Sequence, residues 1–333
     1  MAASRGQKVA VTGGSGFVGR NLVKELSRLG KNVVVVDLTP SPEAESRIAG
    51  VEYVRADLRD YGDVLLALQG VDTVFHIAGN ASGTLSVEYP RLDFQTNAVA
   101  TCNVGNACLQ LGVRRLVYLS SAIVYGTPQY VPMTEEHPTS PFLPYGASKL
   151  SGEFSLLSLE ATADLPVVIG RSFVIYGPGE DPRTAGGEVS QFLRWHLNER
   201  KIPVVGDIDR KTRDFIHVFD LCAALIKLAE VGQSGEIYNL GSGQEVSMRE
   251  LADTIGAATG RKAVLEPDES QLEDSFRLVA DTSKLFSLGF KPSIPLQEGI
   301  RYLASDLGEF PELPTTAAKF RRDSQDEQYA AKG

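Results

Sequence analysis

The sequence has little cysteine, little histidine and no long apolar run, and each shortage excludes a class of protein. The cysteines are Cys102, Cys108 and Cys222. Their odd number and helix-like apolar surroundings predict reduced core residues in place of a disulfide framework. The 4 histidines are scattered without metal-ligand spacing, so we expect no metal site. No apolar run approaches the ~18 residues of a membrane span.

Positive charge is also scarce. Lysine and arginine number 33 against 42 aspartates and glutamates, a net charge of −9. This argues against nucleic acid as a partner but leaves room for a local basic pocket that takes a phosphate. The residues before Val9 carry no apolar stretch, so we expect no secretory signal and a cytoplasmic location. A chain of 333 residues is long enough for one large or two ordinary domains.

A glycine-rich stretch near the start of the chain follows a short β-like run, 8–12. Glycines stand at positions 13, 16 and 19, a helix-like segment runs on to Leu29, and the β-branched strand Val33–Val36 ends at Asp37. In a βαβ unit of this order the glycines let the backbone turn tightly and approach a pyrophosphate at the helix N-terminus. Asp37 is placed to accept hydrogen bonds from an adenosine ribose and would repel a 2′-phosphate. The predicted cofactor is therefore NAD rather than NADP.

Strand and helix patterns alternate as far as residue 176. Strands are predicted at 51–55, 72–77, 115–119 and 166–171, with helices at 61–68 and 91–111. The alternation predicts an α/β fold, a Rossmann-like doubly wound parallel sheet. Ligands of such sheets bind beyond the carboxyl ends of the strands. At or just beyond those ends this sequence has Asp57, Ala78, Gly79, Ser120, Ser121 and Arg171.

The stretch Tyr145-Gly-Ala-Ser-Lys149 follows two prolines, Pro141 and Pro144. Proline is favoured in the first turn of a helix, so a helix is predicted from about Pro144. Tyr145 and Lys149 are then i and i+4 on one face. A nearby ammonium and the positive end of the helix dipole both favour the phenolate, so we expect a lowered pKa at Tyr145 and a role as general base.

The pattern changes after Tyr176-Gly177-Pro178-Gly179. A polar loop leads to helices predicted at 190–198, 247–259 and 296–307, and the basic run 210–213 precedes an extended segment, 214–218. We predict an NAD-binding Rossmann domain of residues 1–176 plus 216–242 and a smaller α/β substrate-binding domain of 177–215 plus 243–308. The polar tail 309–333 lacks periodicity and is predicted to be disordered.

These stretches together resemble the extended short-chain dehydrogenase/reductase family, in particular its nucleotide-sugar epimerases and dehydratases. The resemblance covers about residues 8–307. It rests on Thr12–Gly19, Asp57-Leu58, His76–Gly79, Ser120–Gly126, Tyr145–Lys149, Arg171 with Tyr176–Pro178, Arg213–Val218, and Arg277 before Asp281.

The resemblance implies a role for each matching residue. The catalytic set would be Ser121, Tyr145 and Lys149, with Tyr145 as base, Lys149 on the nicotinamide ribose and lowering the Tyr145 pKa, and Ser121 sharing the sugar hydroxyl's proton. The NAD contacts would be Gly13, Gly16, Phe17, Val18, Gly19, Asp37, Asp57, Leu58, Ala78, Gly79, Asn97, Ser120, Tyr145 and Lys149. The substrate contacts would be Thr84, Ser121, Ala122, Val174, Val204, Arg213 and Arg277. The two arginines suit the nucleotide diphosphate because a guanidinium is planar and permanently charged.

Two departures from the family pattern bear on the reaction. Ala122-Ile123 stand where family dehydratases carry an Asp-Glu pair, and alkyl groups cannot move protons. The glutamate that decarboxylating relatives usually have in that region is also missing. Val174 stands where many sugar-nucleotide members have asparagine, which leaves the sugar open and keeps a 3β-hydroxysteroid-dehydrogenase-like enzyme as an alternative.

The leading hypothesis is an NAD-dependent epimerase that inverts C4 of a UDP-sugar through a transient 4-keto intermediate. The enzymatic alternatives are an NDP-sugar dehydratase or decarboxylase, a 4-keto reductase and a steroid-type NAD oxidoreductase. A reductase would normally use NADPH, which Asp37 disfavours, and a steroid enzyme would have little use for Arg213 and Arg277. A non-enzymatic alternative, a redox-sensing scaffold that binds NAD, is disfavoured by the intact catalytic set.

The resemblance also predicts the partners. Relatives commonly pair through the helices corresponding to 92–111 and 145–160, so we expect a homodimer. The small-molecule partner would be a UDP- or dTDP-sugar. Neither nucleic acid nor a membrane is expected as a partner, given the acidic composition and the short apolar runs.

Overall fold

The structure is a computed structural model that describes residues 7–39, 47–182, 187–268 and 277–314. Its strands are β1 (Lys8–Thr12), β2 (Asn32–Asp37), β3 (Glu52–Arg55), β4 (Thr73–His76), β5 (Arg115–Ser121), β6 (Val167–Ser172), β7 (Val174–Tyr176), β8 (Ile202–Val204), β9 (Thr212–Arg213), β10 (Phe215–His217), β11 (Ile237–Leu240), β12 (Val246–Ser247), β13 (Leu265–Pro267) and β14 (Arg277–Leu278). Its α-helices are α1 (Phe17–Arg28), α2 (Tyr61–Ala67), α3 (Gly83–Glu88), α4 (Pro90–Phe94), α5 (Ala100–Leu111), α6 (Pro144–Ala163), α7 (Glu188–Leu197), α8 (Val218–Val231), α9 (Met248–Thr259), α10 (Ser283–Ser287) and α11 (Leu296–Leu307).

The central sheet has the strand order β11-β6-β5-β4-β1-β2-β3, and every neighbouring pair in it is parallel. Its strands are continuous apolar runs because helices cover both faces. Val33, Val34, Val35 and Val36 of β2, for example, are all fully buried. The chain order reverses beside β1, which is the switch point at which such sheets bind ligands. The predicted doubly wound parallel sheet is confirmed.

Two apolar cores lie on the two faces of this sheet. On one face α1 and α8 pack through side chains such as Leu22, Leu26 and Leu225. On the other face α2, α5 and α6 pack through side chains such as Val104 and Leu156. The sheet is thereby fixed between two helical layers, which holds its carboxyl edge rigid. Within the described residues, no helix is both long enough and apolar enough to cross a membrane.

The helix predicted at 91–111 is not a single regular α-helix. The structure has α4, then a π-helix from Gln95 to Val99, then α5. The π-turn carries Asn97, and π-turns within α-helices often occur at functional sites. A single π-turn disturbs the helical period only locally, so the apolar pattern of 91–111 did not reveal it.

Helix α8 was not predicted from the sequence, and Val218 was wrongly assigned to an extended segment. The chain is extended only to His217, whose Nδ1 accepts from the Phe219 N–H at 3.2 Å and caps the helix that begins at Val218. Helix α8 packs against the sheet and α1 but also carries apolar residues, such as Phe219 and Val231, on its exposed side, so its sequence gives little amphipathic signal.

The residues outside the central sheet form small sheets and a third apolar core. Strands β12, β9 and β14 form one sheet, β10 pairs with β7, and β13 pairs with β8. Helices α7, α9 and α11 pack around Phe192, Leu251 and Ile300. Residues 309–314 of the predicted tail are described, and Pro311 O and Glu312 O accept from Asn198 and Arg194 of the α7 end. The remainder of that tail, 315–333, lies outside the described residues.

Candidate active site

The glycine turn between β1 and α1 has almost no free volume. Gly13 has a φ of +69°, and a Cβ on it would lie 2.7 Å from the Ala78 backbone. A Cβ on Gly19 would collide with the Gly13 carbonyl, so both positions require glycine. The Ser15 hydroxyl is buried there without a hydrogen-bond partner. A glycine cradle with an orphaned hydroxyl at a helix N-terminus fits a pyrophosphate, and therefore fits NAD.

Asp37 lies at the end of β2 and faces this turn. Its Oδ2 accepts from the Ser15 N–H at 3.1 Å, and its Oδ1 accepts from the Thr39 N–H at 3.1 Å. The carboxylate is thus fixed beside the glycine turn, where a ribose hydroxyl of the cofactor would be read. This placement agrees with the predicted NAD preference.

Asp57 and Leu58, the predicted adenine neighbours, follow β3. Arg59 forms an ion pair with Asp57, with Nη2–Oδ2 at 2.6 Å, and this hydrogen bond holds the pKa of Asp57 below its usual range. Leu58 is buried and packs in the core beside Val64. The Asp57 side chain is therefore already paired, and its predicted adenine contact remains a prediction.

Helix α6 begins at Pro144, as predicted, and places Tyr145 and Lys149 beside the end of β5. The Tyr145 phenol lies beside the Ser121 side chain, which acts to lower the Tyr145 pKa. Lys149 Nζ donates to the Leu119 carbonyl at 3.0 Å and lies 5.0 Å from the Tyr118 ring centroid. The structure therefore brings Ser121, Tyr145 and Lys149 to one edge of the sheet.

The expected lowering of the Tyr145 pKa is wrong for this structure. Burial raises the pKa of Tyr145, the Ser121 side chain acts in the opposite direction, and the Asp93 charge adds to the rise. Burial also lowers the pKa of Lys149 to about 8, although the negative charges of Asp93 and Glu153 act to raise it. The expected lowering considered the charge of Lys149 and left out the desolvation of the phenol and the charge of Asp93.

A buried ion pair lies under the catalytic set. Ser120 Oγ donates to Glu153 Oε1 at 2.5 Å, and Arg171 Nη2 donates to Glu153 Oε2 at 2.6 Å. Glu153 is on α6, one helical turn after Lys149. Because residues 145, 149 and 153 are spaced by four, they share one helix face. Sequence analysis missed Glu153, although a charge at this spacing on a buried face was a usable signal.

A second polar network surrounds Asn97 in the π-helix. Asn97 Oδ1 accepts from the Asn80 N–H at 2.8 Å, and Asn97 Nδ2 donates to Asp93 Oδ1 at 3.1 Å and to Ser148 Oγ at 3.0 Å. A Cβ on Gly79 would lie 2.5 Å from Asn97 Oδ1. Asn97 and Gly79 thus lie together beside Lys149, and their contacts with the cofactor remain a prediction.

The predicted sugar-binding residues lie in three environments. Thr84 is buried in α3, beside the start of α6. Ala122 is buried in the 3₁₀-helix directly after Ser121, and the partly exposed Val174 lies on β7. Val204 is 2% exposed and packs in the third core. The structure brings Ala122 to the catalytic set and uses the Val204 side chain for packing.

The two predicted diphosphate arginines lie on neighbouring strands. Arg277 is paired in register with Thr212, and Leu278 with Arg213. Successive side chains on a strand point to opposite faces, so the arginines lie on opposite faces of this small sheet. Arg213 Nε lies 3.0 Å from Glu188 Oε1, and Arg277 Nε lies 2.6 Å from Glu245 Oε1. Each guanidinium thus already has a carboxylate partner.

Proteins that combine this strand order, a glycine turn after the first strand and a tyrosine–lysine helix beside the central strands are extended short-chain dehydrogenases/reductases. This chain is one of them. It belongs to the NAD dependent epimerase/dehydratase family, whose sequence model matches residues 9–241. The predicted family, fold and NAD dependence are confirmed.

Three relatives show how similar this chain is to known proteins in sequence and in structure. The UDP-glucose 4-epimerase of Mycolicibacterium smegmatis is 34% identical over 302 residues, covering 88% of this chain and 96% of that relative. The structure of UDP-glucose 4-epimerase from Thermus thermophilus, in complex with NAD, has a TM-score of 0.81 and 31% identity, covering 90% of this chain and 98% of that one. UDP-N-acetylglucosamine 4-epimerase from Methanobrevibacter ruminantium, in complex with UDP-N-acetylmuramic acid, has a TM-score of 0.84 and 28% identity, covering 90% and 98%.

Proposed function

We propose that this protein inverts C4 of a UDP-sugar by removing and returning a hydride, with NAD held as its cofactor. The observation that carries the proposal is the placement of the Tyr145 phenol beside the Ser121 side chain at the edge of the sheet, directly followed by the apolar Ala122 and Ile123. The relatives named above, which act on UDP-sugars at C4, support the same reaction and substrate class.

The protein's own residues would move the proton. Tyr145 takes the proton of the C4 hydroxyl, with Ser121 as the hydrogen-bond partner of both oxygens. When bound, NAD would supply the hydride acceptor for C4 and, after the 4-keto sugar has turned over, the hydride donor for its other face. Tyr145 then returns the proton to the new hydroxyl. The buried Lys149 donates to the Leu119 carbonyl and so ties α6 to the end of β5.

The apolar neighbours of Ser121 limit the reaction to this cycle. Loss of water from a 4-keto sugar needs an acid and a base beside C5 and C6, and loss of carbon dioxide also needs polar assistance. Ala122 and Ile123 offer alkyl groups at these positions, and the nearby Val174 on β7 is alkyl as well. Dehydratase and decarboxylase activities are therefore disfavoured.

Two arginine–glutamate ion pairs indicate how the nucleotide would be bound. We assign the diphosphate to Arg213 and Arg277, each of which would exchange its carboxylate partner, Glu188 or Glu245, for phosphate oxygens. Arginine forks match phosphate geometry in pairs of parallel hydrogen bonds. The side chains of the two arginines lie on opposite faces of the β9–β14 pair. A diphosphate bound by both would therefore lie across the end of that small sheet.

Product analysis tests the proposal. Purified protein incubated with UDP-glucose, UDP-N-acetylglucosamine, UDP-glucuronate or a dTDP-sugar should convert one of them into a product of equal mass that differs at C4 by NMR. Reduced cofactor should not accumulate, because the hydride returns. A product lighter by water or carbon dioxide would overturn the epimerase assignment, and steady formation of NADH would indicate a dehydrogenase.

We also propose a cytoplasmic homodimer. Support comes from large apolar side chains that are exposed on the two segments through which relatives commonly pair, 92–111 and 145–160. Leu92 is 48% exposed, Val99 43% and Phe154 61%. Exposed apolar residues grouped on one face are typical of an association surface. Light scattering of the parent protein should give twice the chain mass, and Phe154→Glu should give the monomer. A parent that stays monomeric at high concentration would contradict the dimer.

A further inference from the structure

Asp93 lies in α4 beside the proposed active site, and none of the roles assigned above uses it. The residue is 2% exposed. Its Oδ1 accepts from Asn80 Nδ2 at 2.7 Å and from Asn97 Nδ2 at 3.1 Å, and its Oδ2 accepts from the Ser148 hydroxyl at 2.6 Å. Three side-chain donors are therefore aimed at one buried carboxyl group.

The Asp93 charge acts on the buried ammonium of Lys149. All the hydrogen-bond partners just named are neutral, and an ionised carboxylate is costly to bury without a compensating charge. Asn97 connects the two groups. A Cβ built on Gly79 would lie 2.5 Å from Asn97 Oδ1 and 3.2 Å from Lys149 Nζ, so these two atoms converge on one point. The Asp93 charge in turn raises the pKa of Lys149 against the lowering by burial.

We propose that Asp93 is a positioning residue of the active site, which acts as the counter-charge of Lys149 and holds the Asn97 amide with its oxygen toward Lys149. The proposal rests on the function proposed above, in which Tyr145 takes a proton and later returns it. The negative charge of Asp93 raises the pKa of Tyr145 in the same direction as burial, so it favours the protonated phenol that returns the proton to the sugar.

Other charged and titratable groups lie around this network and stay in place when Asp93 is changed. His76 and Tyr118 face it from the sheet, and the Tyr118 ring lies under Lys149 Nζ. Glu153 faces it from α6 and is itself paired with Arg171 of β6. The effect of Asp93 is therefore measured against a constant background.

An ultraviolet difference titration of the tyrosinate, in which the curve of Tyr145→Phe is subtracted, isolates Tyr145 and requires no turnover. Asp93→Asn is nearly isosteric and removes the charge, so the Tyr145 midpoint should fall. Ser148→Ala removes one hydrogen bond from the same carboxylate but keeps its charge, so its midpoint should match the parent. An unchanged midpoint in Asp93→Asn, or equal shifts in both variants, would overturn the proposal.

The double variant Asp93→Asn/Asn97→Asp covers the case in which Asp93→Asn does not fold. It exchanges the acid and the amide of a hydrogen-bonded pair and places the carboxylate nearer Lys149. Its Tyr145 midpoint should equal or exceed that of the parent, and a lower midpoint would overturn the proposal. The titration also tests the role of Asp93 separately from the proposed epimerase reaction. A shifted midpoint in a protein without epimerase activity would refute the proposed reaction and leave the role of Asp93 intact.

Discussion

Glu153 and Arg171 form a doubly hydrogen-bonded ion pair directly beneath the proposed catalytic set, with side chains only 1% and 5% exposed. The same carboxylate accepts from Ser120, so the pair ties α6 to the end of β5. Ser121 and Tyr145 stand on these two elements. The position of Ser121 relative to Tyr145 therefore depends on the Glu153–Arg171 ion pair, which neither of these two residues contacts through its own side chain.

This arrangement predicts an uneven response to mutation. Glu153→Gln leaves the buried guanidinium of Arg171 without its counter-charge, which should lower the free energy of unfolding by about 3–5 kcal/mol. The double variant Glu153→Gln/Arg171→Met removes both charges and should lose less. Urea denaturation measures both. The exposed pair Lys201–Glu266 supplies the control, because Glu266→Gln should cost about 1 kcal/mol or less. Equal losses in Glu153→Gln and Glu266→Gln would contradict the prediction.

Glu180 predicts a dependence of stability on pH. Burial raises its pKa to about 7 from the usual 4.5, and its Oε2 is buried without a partner. The folded protein therefore keeps a proton that the unfolded chain loses. Stability should be highest below about pH 4.5 as far as this group is concerned and should fall as pH rises toward 7. At ~1.36 kcal/mol per pH unit the loss is roughly 3 kcal/mol.

The test compares unfolding free energies at pH 5 and pH 8. Glu180→Gln cannot ionise, so it should be more stable than the parent at the higher pH and should lose less between the two. The exposed Glu230 gives a control, because Glu230→Gln should leave the difference between the two pH values unchanged. A parent protein and a Glu180→Gln variant with the same pH dependence would refute the assignment.

The sequence was sufficient for the elements whose patterns are local. The strand–glycine–helix–strand unit at Lys8–Asp37 and the helix starting at Pro144 were predicted because turn residues and apolar spacing determine them over a few positions. Contacts distant in sequence were not predictable in this way. Ser120 and Glu153 are 33 positions apart, and Glu153 and Arg171 are 18 apart. No spacing rule connects them.

The electrostatics of the site could not be read from the sequence for a related reason. The i, i+4 spacing of Tyr145 and Lys149 predicted their shared face correctly but not the pKa of either group. Burial and the Asp93 carboxylate determine those values, and both depend on how α4 packs against α6. Similarly, the strand register that separates Arg213 from Arg277 is a tertiary feature.

The next prediction concerns Asp37 and the preference for NAD over NADP. The Asp37 carboxylate is fixed by the Ser15 and Thr39 N–H groups and should repel a 2′-phosphate. Calorimetry should therefore find NAD bound far more tightly than NADP, and Asp37→Ala should narrow the difference. Asp72→Asn removes an equal charge from the opposite edge of the sheet and should leave the preference unchanged. Equal affinities of the parent for the two cofactors would refute the role of Asp37.

The last prediction concerns Tyr145. Tyr145→Phe removes the ionisable oxygen and keeps the ring, so the binding of NAD and of UDP should be retained while kcat falls. General-base catalysis contributes about 10²–10⁴-fold, and the loss should lie in this range. Tyr130→Phe removes a hydroxyl from a tyrosine that is 44% exposed and serves as the control with unchanged kcat. Single-turnover measurements with bound NAD locate the loss in the chemical step. A Tyr145→Phe variant that retains more than half of the parent's kcat would exclude this residue as the base.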